Sequence, residues 1–309
     1  MSLFLRPALT LLALLICFVS PAPGGASALP PPGNLQLASV HAQVTALDSG
    51  QVLYSKHAET AAPIASITKL MTAMVVLDSA EPLDEWLSIL ERDRSAPANA
   101  WSRLRVGSEA TRRDLLRIVL MSSENLAAHV LGRYHRGGYD AFVAAMNAKA
   151  ATLGMHRTRF VDSAGLSTDN RSTAADLARM LAAAWDYELI RDYSTTTGHT
   201  VHFRKPPYRL PYGNTNRLTH SDRWEVGLSK TGYLNEAGRC LVMVAEIDAR
   251  PVAMVLLNSF GTHTPLGDAG RVRRWLETGN GGAVAGPALE YEQRQAAALQ
   301  RGLPPGEGQ

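Results

Sequence analysis

The sequence predicts an α/β domain of the α+β kind: an antiparallel sheet built from strands at both ends of the chain, a helical cluster beside it, and a working site between the two. Three observations predict it. Residues 39 to 47 and 51 to 55 alternate around Asp48-Ser49-Gly50, the pattern of a β-hairpin. The middle of the chain carries apolar residues at helical spacing, and the last third turns to short apolar runs bounded by turn residues.

Composition bounds the answer before any motif does. With 309 residues, 46% hydrophobic and 19% charged, the chain is globular and long enough for a sizeable core. A net charge of +3, with no Lys/Arg cluster among aromatics, argues against nucleic acid as a partner.

Residues 1–28 read as a secretory signal that is cleaved: Arg6, an apolar stretch from Leu9 to Val19, and the small residues Ala26-Ser27-Ala28. The apolar stretch is short for a membrane span and is followed by Pro21, Pro23, Gly24 and Gly25. Ile16 before Cys17 departs from a lipoprotein signal. Export to the periplasm, with no stable membrane anchor, is the expectation. Cys240 is then the only cysteine of the mature chain, and its apolar surroundings mark it as a buried small side chain. The histidines show no metal-binding spacing, so no metal is expected.

A Pro-rich segment (29–38) leads into the hairpin. Pro63 to Asp78 then reads as a largely apolar helix, with Leu70, Met71, Met74 and Leu77 on its buried side. Its opening residue Ser66 and Lys69, three residues later, share one face. A buried lysine that has lost its proton can activate a serine hydroxyl, and a helix N-terminus offers N–H groups to an oxyanion. Alone, S-x-x-K is better explained by a capping serine and a solvent-seeking lysine, since about one such pair is expected by chance in a chain this long.

A short strand is expected at 86–90 and helices at Thr111 to Met121 and Leu126 to Tyr134. Between those helices lies Ser122-Ser123-Glu124-Asn125, a polar knot that either caps a helix or projects Ser123 and Asn125 into a cleft. Helices follow at Tyr139 to Leu153 and from Ser172 or Thr173 to Trp185. Strands are expected at Thr200 to Phe203, Val226 to Ser229, Cys240 to Ile247 and Val252 to Leu257, the last two fully buried. A helix from Gly267 to Glu277 closes the domain, which spans 39–278. The Gly-, Gln- and Pro-rich tail (279–309) reads as disordered.

The strand at 226 runs into Lys230-Thr231-Gly232, a tripeptide that chance supplies well under once in such a chain. S-x-x-K, S-x-N and K-T-G, in that order, form the set shared by penicillin-binding proteins and serine β-lactamases. The flanking segments P-I-A-S-I-T-K-L-M-T-A, L-M-S-S-E-N, F-V-D-S-A-G-L-S and L-S-K-T-G-Y-L-N-E-A-G-R-C-L-V resemble the low-molecular-mass serine DD-peptidases. The resemblance is nearest to the D-alanyl-D-alanine endopeptidases of Gram-negative bacteria, the penicillin-binding protein seven type, and covers Val40 to Thr278.

That resemblance implies a β-lactamase/transpeptidase-like fold and an acyl-enzyme on Ser66, with no cofactor. Lys69 would take the Ser66 proton and Ser123 would pass a proton to the leaving amine. Asn125, Lys230, Thr231 and Gly232 would bind substrate, and the backbone N–H groups of Ser66 and Tyr233 would form the oxyanion hole. Peptidoglycan peptides are the implied substrate and β-lactams the implied inhibitors. Both a D-Ala–diaminopimelate cross-link and a D-Ala-D-Ala terminus carry a carboxylate beside the scissile amide, so the motifs allow endopeptidase and carboxypeptidase alike. A short tail without an apolar face favours the endopeptidase.

Two rivals are weaker. A class A β-lactamase needs a glutamate to activate water, and 162–176 holds none, only Asp162, Asp169 and Asp176. A non-catalytic wall-binding protein need not keep both serines and both lysines. Arg239, Arg271 and Arg274 are the candidates for a second cation on the substrate carboxylate.

Overall fold

A computed structural model describes residues 31–91, 93 and 102–302. The expected signal at 1–28 and the last residues, 303–309, lie outside the described residues. The chain enters through β1 (His41–Ala46) and β2 (Val52–Lys56), the hairpin expected around Gly50, whose φ of +70° suits a residue without a side chain. After β3 (Ala62–Pro63) and a single 3-10 turn at Ala65–Ile67 comes α1 (Thr68–Asp78). There follow β4 (Trp86–Ser88), β5 (Glu109–Thr111), α2 (Arg112–Met121), α3 (Asn125–Arg133) and α4 (Gly138–Thr152).

The second half contains β6 (Arg171–Ser172), α5 (Ala174–Trp185), α6 (Glu188–Thr195), β7 (Gly198–Phe203) and β8 (Tyr208–Gly213). The long strands β9 (Val226–Leu234), β10 (Gly238–Ile247) and β11 (Arg250–Ser259) come next, then α7 (Thr264–Thr278) and α8 (Gly286–Gln300). The main sheet has the order β2-β1-β11-β10-β9 and is antiparallel throughout. Strands from the two ends of the chain are therefore neighbours, His41 lying opposite Leu257.

Strand periodicity explains why β10 and β11 are apolar on both sides. Val242, Val244, Val255 and Leu257 face the helical cluster, while Leu241, Met243, Met254 and Leu256 face α7 and the buried Trp275. Both faces are covered, so the middle of each strand is apolar on both sides. On the cluster side, α1 is surrounded by α2, α3, α4 and α5, which accounts for its burial from Thr68 through Val76.

The structure corrects the sequence reading in three places. The helix expected from Pro63 starts only at Thr68. Pro63 is tied into β3, paired with β6, and the Ile64 N–H donates to the Asn170 carbonyl at 3.0 Å, so the chain reaches Ser66 through a sharp turn. The strand near 200 belongs with β8 to a separate two-stranded ribbon. The tail is ordered as α8 through Gln300: Ala288, Tyr291, Glu292, Gln295 and Ala298 recur on one buried face. Glu292 pairs with Lys56 at 2.9 Å and the Tyr291 hydroxyl donates to Asn258 Oδ1 at 2.7 Å. Gly, Gln and Ala hid this face, because none of them signals burial strongly.

Candidate active site

Ser66 sits in the 3-10 turn just ahead of α1, at the floor of a cleft of about 460 Å³. Ala65 before it is held at φ +48°, a left-handed conformation uncommon for alanine. The turn is clamped from two sides by glycines. A Cβ at Gly165 would meet the Ala65 carbonyl oxygen at 1.9 Å, and one at Gly232 would meet the Ser66 nitrogen at 3.2 Å. Gly232 thus lets β9 come close enough to bring the backbone of Tyr233 beside that of Ser66.

The Lys69 amine lies 2.8 Å from Ser66 Oγ, 2.7 Å from Asn125 Oδ1 and 2.6 Å from the Ala164 carbonyl oxygen. The last two atoms can only accept. They occupy both N–H bonds of a neutral amine and leave its lone pair facing the Ser66 hydroxyl, which then donates. Burial of Lys69 favours that neutral form and pushes its pKa down to about 7, against the opposing pull of Asp162 and Glu124. Lys230, also fully buried, is pushed well below the ordinary lysine range, by burial first and then by the charge of Lys69.

The supports of this geometry are less visible in sequence. Asp162 gathers the N–H groups of Ala164 (2.7 Å), Gly165 (2.5 Å) and Leu166 (3.3 Å) on one carboxylate oxygen and that of Ser167 (2.9 Å) on the other. It shapes the loop that aims the Ala164 carbonyl at Lys69. Both of its oxygens are thus engaged within this loop. Glu124 caps α3 by accepting from the Leu126 N–H at 3.0 Å, and burial raises its pKa. Asn125, at the first position of α3, is thereby fixed toward Lys69.

Ser123 lines the cleft with φ +60°, so the knot between α2 and α3 is a strained projecting turn. Its hydroxyl has no hydrogen-bond partner among the described residues. The Lys230 amine donates to the Thr231 carbonyl at 2.9 Å, and Thr231 Oγ1 lies 2.6 Å from Thr215 Oγ1. The Thr215 N–H donates to the Met121 carbonyl at 3.0 Å, tying this wall to the end of α2.

Ser66, Ser123, Asn125, Thr231, Gly232 and Tyr233 all line the one cleft, with Lys69 and Lys230 buried behind them. Arg239 borders it too, its guanidinium 3.8 Å from the Tyr233 ring centre. Arg271 is instead held by Asp268 at 3.0 Å and by the Ala283 carbonyl at 3.0 Å, and Arg274 lies against Gly282. Arg217, which sequence reasoning missed, lines the cleft from the 3-10 turn Arg217–His220. No motif marks it. Cys240 is buried beside the cleft, its thiol pushed up to about 12 by burial and therefore a poor nucleophile. Among the described residues no cluster of His, Cys, Asp or Glu is suited to a metal.

Comparison with known proteins points the same way. Residues 26–261 match the family described as D-alanyl-D-alanine carboxypeptidase. A D-alanyl-D-alanine endopeptidase of Pseudomonas aeruginosa is 50% identical over 287 residues, covering 91% of this chain and 93% of that protein. One from Escherichia coli is 47% identical over 264 residues, covering 85% of each. Among solved structures, the Streptomyces K15 DD-transpeptidase superposes with a TM-score of 0.72 at 27% identity, covering 84% of this chain and 98% of that one. Penicillin-binding protein D2 of Listeria monocytogenes, in its ampicillin-bound form, does so at 0.67 with 28% identity, covering 80% and 98%.

Proposed function

The chain belongs to the D-alanyl-D-alanine carboxypeptidase family of serine peptidases, and from that membership we propose that it is the endopeptidase of the family's two activities, cutting D-Ala–diaminopimelate cross-links of peptidoglycan. The observation that carries the mechanism is the Lys69 amine, dry, with both N–H bonds committed elsewhere and 2.8 Å from Ser66 Oγ.

In this reading Ser66 Oγ attacks the D-Ala carbonyl carbon as Lys69 takes the hydroxyl proton. The oxygen of the tetrahedral intermediate gains negative charge and is met by the N–H groups of Ser66 and Tyr233. Collapse breaks the C–N bond as Ser123 hands a proton to the departing amine and takes one back from the Lys69 ammonium, which leaves Lys69 free again. Water then attacks the Ser66 ester while the Lys69 amine takes its proton, and as the Ser66 C–O bond breaks that proton returns to Ser66 Oγ and the D-Ala acid leaves. Asn125 and Gly232 position the acyl part, Thr231 takes the carboxylate beside the scissile amide, and the Lys230 amine supports Ser123 across the cleft. β-Lactams acylate the same serine.

The carboxypeptidase activity stays a second reading, favoured by the family's own description and by a 29% identical D-alanyl-D-alanine carboxypeptidase of Bacillus subtilis. We further propose a periplasmic protein whose residues 1–28 are removed on export and whose peptidase domain, expected at 39–278, extends through α8 to Gln300. Among the described residues no helix is long and apolar enough to cross a membrane.

Digestion of purified peptidoglycan by the mature protein, beside Ser66→Ala, tests this. Loss of cross-linked dimers to tetrapeptide monomers, absent in the variant, supports the endopeptidase. Release of terminal D-Ala alone moves the assignment to carboxypeptidase, and no release while penicillin still acylates Ser66 sinks both.

A further inference from the structure

A second cavity of about 350 Å³ opens beside the catalytic cleft and shares two of its residues, Tyr233 and Arg239. Its far wall is Phe260 from the segment after β11, and Tyr291 and Arg294 from α8. The Phe260 and Tyr291 rings sit 5.5 Å apart, and Tyr233 and Phe260 are large aromatic side chains left exposed. Neither Arg239 nor Arg294 has a carboxylate partner among the described residues. An aromatic-lined hollow with two cations uncompensated by acid is suited to an anionic ligand with apolar stretches.

Its direction from the catalytic centre identifies which part of a substrate reaches it. Along β9, Thr231 precedes Gly232 and Tyr233, and the chain then continues to Asn235, which borders the second cavity. With the leaving-side carboxylate at Thr231 and the scissile carbonyl at the Tyr233 N–H, a peptide laid along this strand carries its acyl side onward past Leu234 and Asn235.

We propose that the second cavity is a subsite for the acyl-side stem peptide, with the C-terminal helix α8 as its wall and Arg294 and Arg239 receiving the free carboxylates that precede the scissile D-Ala. This rests on the orientation adopted under the proposed function. It gives α8 a part in substrate selection: the stem's glutamate and diaminopimelate residues each keep a free carboxylate, and these are the groups a two-arginine hollow can distinguish.

The test does not depend on turnover. The free tetrapeptide L-Ala-γ-D-Glu-diaminopimelate-D-Ala, and the same peptide with its glutamate and diaminopimelate side carboxylates amidated, are used as competitors of acylation by a fluorescent penicillin. Each protein's own acylation rate without peptide is the reference. The expected result is that the acid competes about tenfold better than the amide with the wild type, and that Arg294→Glu removes this preference while Arg294→Lys retains it. Equal competition by acid and amide in the wild type, or an acid preference that survives Arg294→Glu, overturns the subsite. Failure of the wild type to cleave cross-links, with the acid preference intact and lost in Arg294→Glu, would instead count against the proposed reaction and leave the subsite standing.

Discussion

Gly165 and Ala65 are in such close contact that the loop holding Asp162 and the turn presenting Ser66 behave as one body: a methyl group on Gly165 would stand 1.9 Å from the Ala65 carbonyl oxygen. Gly165 also has φ +77°, which an alanine adopts only with strain. Gly165→Ala must therefore move the Ser66 turn, the Ala164 carbonyl, or both. Acylation by a fluorescent penicillin should fall by about a hundredfold, the scale on which displacement of about an ångström acts on a reacting pair. Wild-type acylation in a folded Gly165→Ala protein would show that this contact does not set the nucleophile.

With the free amine of Lys69 as the proposed base, acylation should rise with pH and level off above about 7, the value to which burial depresses Lys69. Asp162 works against that depression by stabilising the ammonium form. Removing its charge in Asp162→Asn should slide the midpoint to lower pH, since the proton is then held less tightly. A pH–rate profile of penicillin acylation for the two proteins reads the shift, and a midpoint moving upward would contradict it.

His41 supplies a separate dependence on acidity. It is buried on β1, its pKa lowered to about 4 by burial, with Nδ1 3.2 Å from the His57 carbonyl and no partner for Nε2 among the described residues. The unfolded chain accepts this proton near 6.5 and the folded chain only near 4, so acid favours unfolding across that window. The contribution lost on going from pH 6.5 to 4 is about 3 kcal/mol. Chemical denaturation of wild type and His41→Asn over this range should show a shallower acid loss in the variant, and parallel curves would refute the assignment.

Tyr291→Phe tests whether α8 is part of the folded unit. The change removes the hydroxyl that donates to Asn258 Oδ1 at 2.7 Å and leaves a buried acceptor unmet, at a cost of about 1–3 kcal/mol. Urea titration should show the loss within a single transition. A separate early transition with the main one unmoved would make α8 an independent appendage.

Much of this was legible in the sequence, and the reasons differ by element. The hairpin at β1 and β2 and the buried strands β10 and β11 carry strong periodic patterns, so they are read directly. The residues brought to the cleft were legible through three short motifs whose order, more than any one of them, carries the information. The supports were not. Asp162 acts through four backbone N–H groups and Gly165 through the absence of a side chain, neither of which leaves a pattern. Arg217 and Arg239 look like any surface arginines until the chain folds them to the cleft. The helix α8 buries a narrow face amid small and polar residues, and α6, though clearly amphipathic, is only 8 residues long, too short for its period to stand out.

The neighbouring of β1 and β11 constrains how the enzyme can come into being. His41 must wait for Leu257, and every helix of the cluster is made in between. Such distant pairing is slow to form, because the chain loses the freedom of a very long loop before the contact rewards it. Until β11 arrives, β1 has one unpaired edge, open to another partly made chain. A gene fragment ending before β11 would therefore encode an aggregation-prone hairpin with helices attached, rather than a smaller working peptidase.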